Sequence, residues 1–265
     1  MLSLRQALSL DSIRNIGGDF NKLSTNFDGI NDCVIIAQSA ALRPLFELSI
    51  SLWMKPTEWQ ISGSASDTQD PIGCLSSGGW RIKMVKDGGA TAKTRMEFEI
   101  RVNDTDGAGS PGYITSTLSS SIVEGFSGWK NIIATYANGV ARIYHNTSSS
   151  FVTPGNADAG ARIVYSGSPV PIFIGADAQT TTAPEQEFSG SVDEVAIFNQ
   201  ELSSANRTAI YNGGKPADLT GMTGLVGWWR MGDGATFPTI PDASSNSNNG
   251  TMTNMVAGDI TTDTP

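Results

Sequence analysis

A chain of 265 residues is long enough to bury one substantial core, and all-β sandwiches of this length commonly remain a single domain. Only 16% of its residues are charged, and acidic side chains outnumber basic ones 26 to 17. The resulting charge of −9, with no Lys/Arg cluster to offset it, excludes nucleic acid as a partner, and no apolar run approaches the length that spans a membrane.

Residues 1–24 carry Leu2, Leu4, Leu8, Leu10 and Ile13 at a spacing that fits neither the helix nor the strand period, which predicts an arm that docks on the body or on a neighbour. The same segment lacks the basic start and long apolar run of a signal peptide, so synthesis in the cytoplasm is expected. Strands are predicted at 33–37, 47–55, 80–85, 94–102, 112–118, 129–136, 139–145, 161–165, 170–175 and 189–198. In LSISLWM, Leu48, Ile50, Leu52 and Met54 alternate with Ser49, Ser51 and Trp53. In TRMEFEIRV, Met96, Phe98, Ile100 and Val102 oppose Glu97, Glu99 and Arg101, so one sheet face is expected to be solvated there. Asn138 and Gly139 both tolerate positive φ and predict an antiparallel hairpin.

The segment from Gln186 to Gly214 reads strand, turn and capped helix. Val192, Glu194, Ala196 and Phe198 alternate with Asp193, Val195 and Ile197, and the apolar content of both sets places the strand between two layers. Ser203 is the expected N-cap of a helix of about ten residues, with Gly213 and Gly214 supplying a left-handed exit. The run from Gly190 to Ser203 resembles the closing motif of the LamG-like, concanavalin A-like jelly-roll family. So, in the family's order, do NFDGINDCVII from Asn26, LSISLWMKP from Leu48 and WKNIIATYANGVARIYHN from Trp129. The resemblance implies an all-β, two-sheet antiparallel jelly-roll sandwich with one short helix over residues 25–214. It speaks weakly to activity, because the same sandwich hosts lectins, adhesion modules and glycosidases.

The tail, residues 215–265, resembles the stretch with which such domains usually begin. It is expected to lie back on its own body as the missing first strand, or to complete a neighbouring subunit. That rearrangement, the absent export signal and a resemblance to proteins of marine phage genomes point to a non-enzymatic virion protein. Such a component would be made in the host cytoplasm, would sit among other virion proteins, would self-associate and would adhere to host-surface glycan. The alternative is a secreted bacterial carbohydrate-binding module; a glycosidase is the third class.

Candidate chemistry is sparse. His145 is the sole histidine and reads as a surface residue at a strand end. Glu97 and Glu99 share a strand face as paired glycosidase carboxylates would, but MEFEIRV lacks the E-x-D-x-x-E pattern of laminarinase-type sandwiches. Cys33 and Cys74 are too few for a disulfide framework and read as buried thiols. A structural Ca²⁺ is implied by the family resemblance, with Asp28, Gly29 and Asp193 at the matching positions. Asp193 is a carboxylate in an apolar strand that must be metal-bound, paired or hydrogen-bonded to the turn at Asp28. Sugar binding would call on exposed aromatic rings, with Trp59, Trp80 and Tyr113 as candidates beside Asp104 and Asp106 in a turn-rich loop. Trp53, Trp129 and Trp228 read as core.

Overall fold

The computed structural model describes residues 20–59, 61, 67–76, 78–86, 93–104, 109–148, 152–165, 170–178 and 184–265. Leu2, Leu4, Leu8, Leu10 and Ile13 of the arm, and Asp106, lie outside the described residues. In chain order the strands are β1 (Ser24–Asp28), β2 (Cys33–Ile36), β3 (Glu47–Pro56), β4 (Thr68–Gly73), β5 (Trp80–Lys86), β6 (Thr94–Val102) and β7 (Gly112–Leu118). After helix α1 (Ser120–Val123) come β8 (Lys130–Ala137), β9 (Val140–His145), β10 (Val152–Thr153), β11 (Gly155–Asn156), β12 (Ile172–Ile174), β13 (Asp177–Ala178), β14 (Pro184–Glu185) and β15 (Ser189–Phe198). Helix α2 (Ser204–Tyr211) then leads to β16 (Leu225–Trp229), β17 (Thr239–Ile240), β18 (Gly250–Thr253) and β19 (Ile260–Thr261).

Two antiparallel sheets face each other, as the alternating patterns require. The first runs β11, β9, β8, β3, β15, β1, β19, with β16 also pairing β15; the second runs β10, β7, β6, β5, β4, β12, β2, β18, β17. Leu48, Ile50, Leu52 and Met54 from one sheet meet Ile82, Met84, Phe98 and Ile100 from the other in a single core. The outer face of the first sheet is also apolar: Ile133, Ala196, Phe198 and Trp228 pack under α2 through Leu202 and Ile210. That second layer explains why β15 is apolar on both faces. The two tryptophans of β16 divide accordingly, Trp229 entering the central core and Trp228 the layer under α2.

Local chemistry fixes the turns. Asn138 (φ 48°) and Gly139 (φ 80°) form the tight hairpin between β8 and β9. The Ser203 side chain accepts a hydrogen bond from Asn206 N at 3.1 Å and caps α2. At the other end Asn212, rather than Gly213, takes the first left-handed position, its N–H donating to Thr208 O.

Three sequence expectations change. Residues 161–165 form no ladder: Ile163 makes one bridge to Val102 and donates its N–H to Leu45 O, tying the sandwich end together. Strand β4, unforeseen because Pro71 lies within it, is accommodated by a register shift between Gln69 and Ile72. The alternation of β15 breaks at Asp193 and Glu194. Asp193 pairs Trp53 and Ala196 pairs Ser51, so three steps on one strand answer two on the other, and Glu194 has φ 47°. This bulge sends Val192 and Val195 to the central core, and Ala196 and Phe198 to the layer under α2.

The tail strands pair within the chain. β16 joins β15, β18 joins β2, and β19 closes on β1 through Ser24 opposite Thr261. Among the described residues no helix is long and apolar enough to cross a membrane.

Candidate functional site

The largest cleft, about 720 Å³, opens where β3 ends and β15 begins. Register builds its floor: Asn26, Ser191 and Lys55 lie side by side across β1, β15 and β3, and Met54 opposite Lys130 puts Trp129 next to Lys55. Gly190 allows this close approach, since a Cβ there would lie 2.5 Å from both Lys55 O and Pro56 Cα. One wall is aromatic. Trp59 meets Phe126 edge-on at 4.9 Å and donates its indole N–H to Gly128 O at 3.2 Å. Glu58, Glu124 and Asp263 give the rim its negative charge.

Trp129 is half-buried, not core as its apolar neighbours suggested. Lys55 Nζ lies 5.8 Å from its ring centroid, and its indole N–H reaches Asp263 Oδ1 at 3.4 Å. Lys55 also pairs with Asp263, and both partners are partly exposed, so the contact contributes at most about 1 kcal/mol and exchanges readily with water or ligand. His145 is half-buried rather than on the surface, packed 5.0 Å from Phe126. Burial, then the charge of Lys130, holds its imidazole below its ordinary pKa.

The five predicted ligand residues do not converge. Trp59 borders the cleft but is only 8% exposed. Trp80 is fully buried, because it shares its strand face with Ile82 and Met84 in the central core. Tyr113 is 46% exposed with Arg101 over its ring at 5.5 Å, and Asp104 accepts a bond from Gly109 N. These two lie at the far end of the sandwich, where Asn103 N bonds Arg162 O and Ile163 N bonds Leu45 O.

The proposed cation ligands are also separated. Asp28 Oδ1 accepts the N–H groups of Ile30 and Asn31 within its own turn, and Asp28 pairs in register with Ser189. Asp193 stands four residues further along β15, about 13 Å away. Its carboxylate is held instead by Asn21 Nδ2 at 2.6 Å and by Glu194 N at 2.8 Å, not by the Asp28 turn. Asp28, Gly29 and Asp193 therefore do not fit a shared Ca²⁺.

Around Asp193 the bulge forms a dense polar knot. Glu194 accepts Trp228 Nε1 at 2.6 Å and Arg230 Nε at 3.1 Å. Burial raises its carboxyl to about 7, against the opposing pull of Arg230 and of the Trp228 hydrogen bond. Burial and then the neighbouring Glu194 charge push Asp193 well above the usual carboxylate range. Arg230 also stacks over Phe20, whose carbonyl it binds, and Asp233 receives the N–H of Lys22, so the knot pins the first described residues to the sheet.

Glu97 and Glu99 lie on the outer face of the second sheet, but in an ion-pair ladder rather than free in solvent. Lys83 binds them at 3.2 and 2.8 Å, Arg95 pairs with Glu97, and Arg81 links Glu99 to Asp70. Burial pushes Glu99 up, but the Lys83 hydrogen bond and the Arg81 and Lys83 charges outweigh it and hold the carboxyl below its ordinary value. Neither glutamate is thus poised as a general acid. Cys33 and Cys74 are buried free thiols, both pushed up to about 12 by burial.

Comparison with known proteins agrees with the fold. A carbohydrate-binding protein of provisional assignment from Bacteroides ovatus superposes with a TM-score of 0.58 at 16% identity, covering 91% of this chain and 60% of its own. The binding domain of Paraclostridial Mosquitocidal Protein 1 gives 0.50 at 14% identity, over 74% of this chain and 44% of its own. A heptameric SAP-like pentraxin from Limulus polyphemus gives 0.49 at 15% identity, over 78% and 86%. No curated protein matches the chain. The family profile described as the concanavalin A-like lectin/glucanases superfamily matches residues 28–206, and the chain belongs to that superfamily.

Proposed function

We propose that the protein is a non-enzymatic adhesion domain that binds glycan in the cleft between Lys55 and Phe126. The observation that carries this reading is the half-buried Trp129 beside Lys55 and Asp263. It offers an aromatic face next to side chains that can bond sugar hydroxyls, at the edge of a cleft within the size range of small-ligand sites. The acidic rim of Glu58, Glu124 and Asp263 favours neutral sugars. Against catalysis stands the ion-pairing of Glu97 and Glu99, which ties both carboxylates to Lys83.

The carrier is a phage virion in this reading, in which the chain contacts other virion proteins and copies of itself. Support comes from the displaced terminal motif and the resemblance to phage proteins. A secreted bacterial carbohydrate-binding module is the second reading, favoured by the likeness in fold to the Bacteroides ovatus protein. Both give the cleft the same task. A glycan array probed with the full chain, followed by calorimetry, tests it: Trp129→Ala should weaken neutral-oligosaccharide binding at least about tenfold, roughly 1.4 kcal/mol, with an unchanged Tm. Binding untouched by that substitution would remove the cleft from the account. Light scattering reads self-association, and a monomer at every concentration counts against the virion reading.

A further inference from the structure

A second cavity, about 440 Å³, lies at the opposite end of the sandwich, lined by Arg43, Leu45, Arg162, Ile163 and Tyr165 among others. Its walls are tied in place by backbone and side-chain bonds. Ile163 N donates to Leu45 O at 2.7 Å, the Tyr165 hydroxyl to Pro44 O at 3.0 Å, and Arg162 N to Asn103 Oδ1 at 2.7 Å. Arg43 is oriented by the Tyr165 ring, 5.0 Å from its guanidinium carbon. Arg162 is exposed at the rim, and Leu45, 45% exposed, supplies an apolar surface beside it.

The charge of this pocket opposes that of the chain. On a protein of net charge −9, both charged lining residues are arginines, and none is acidic. The nearest described acids are engaged elsewhere: Glu47 accepts Glu201 N at 3.0 Å, and Asp104 accepts Gly109 N at 3.3 Å. A guanidinium presents a planar fork of donors that matches a carboxylate or a sulfate ester in two parallel hydrogen bonds. A cavity of this volume admits a single sugar ring.

We propose that this pocket binds an anionic sugar residue, its carboxylate or sulfate held by Arg162 and Arg43 and its ring lying on Leu45 and Ile163. The anion is assigned from the arginines alone; that it is borne by a sugar rests on the glycan-binding reading. The test is calorimetry of the full chain with three trisaccharides of one linkage type: neutral, uronate-terminated and sulfated. At least one anionic form should bind, which one identifying its source. It should lose at least about tenfold in affinity in Arg162→Gln, and weaken as salt screens the contact. Arg162 is exposed, so an unchanged Tm certifies the fold of that variant, whereas Arg43→Gln disturbs the packing on Tyr165 and serves only as a second arm. Trp129→Ala should leave anion binding intact. If anionic and neutral forms bind alike, or if Arg162→Gln changes nothing, the proposal fails. If Trp129→Ala abolishes both, the anion sits in the first cleft: this inference falls and the glycan reading stands. If only the Arg162-dependent binding is found, the first cleft falls instead.

Discussion

The bulge at Glu194 makes a quantitative claim about stability. Its carboxyl lies at about 7 in the folded chain against 4.5 in an unfolded one, so the folded state holds the proton more tightly. A raised acid stabilises the fold while protonated, and that contribution is lost as pH climbs from the unfolded value through the folded one. Linkage over this shift gives about 3 kcal/mol in all, of which about 2.5 kcal/mol disappears between pH 5 and pH 8. Asp193, raised by burial and by Glu194, adds a loss of the same sign. Glutamine at 194 keeps an acceptor for Trp228 Nε1 but cannot ionise. Urea unfolding at pH 5, 6, 7 and 8 should therefore show wild-type stability falling more steeply than that of Glu194→Gln, the gap between them changing by about 2.5 kcal/mol across the range. Parallel curves would refute the assignment of a buried, proton-holding carboxyl to this bulge.

Two further substitutions probe the frame that carries the cleft. Gly190→Ala places a methyl 2.5 Å from Lys55 O and Pro56 Cα at φ 141°, and should destabilise by about 2–4 kcal/mol, read as a lowered urea midpoint. Ser203→Ala removes the bond to Asn206 N at the start of α2 and should cost about 1 kcal/mol, seen as a small drop in Tm with sugar binding unchanged.

Local signals in the sequence carried most of the fold. The Asn138-Gly139 hairpin, the Ser203 cap and the alternation of β3 and β6 each follow from neighbours within a few residues, and each appears in the structure. Trp80 was misjudged from the Ser-Gly-Gly turn before it, although its parity with Ile82 and Met84 already assigns it to the core. Strand β4 was hidden by Pro71, and the bulge at Asp193 and Glu194 by a single extra residue that no pattern announces. The cleft was illegible for a different reason. Asn26, Lys55, Trp129, Ser191 and Asp263 are brought together only by register between strands far apart in sequence, so no window of the chain contains it. The pairing of Asp193 with Asn21 is of the same long-range kind.

The closure of β19 on β1 sets the geometry of attachment. The Ser24 hydroxyl donates to Asp263 O at 2.6 Å, so the polypeptide enters and leaves the sandwich at one corner. Anything tethered to either side of residues 24–263 would hang from that corner, shading the Lys55 cleft. The arginine-lined pole, about 20 Å further along the strands, would project outward as the leading tip.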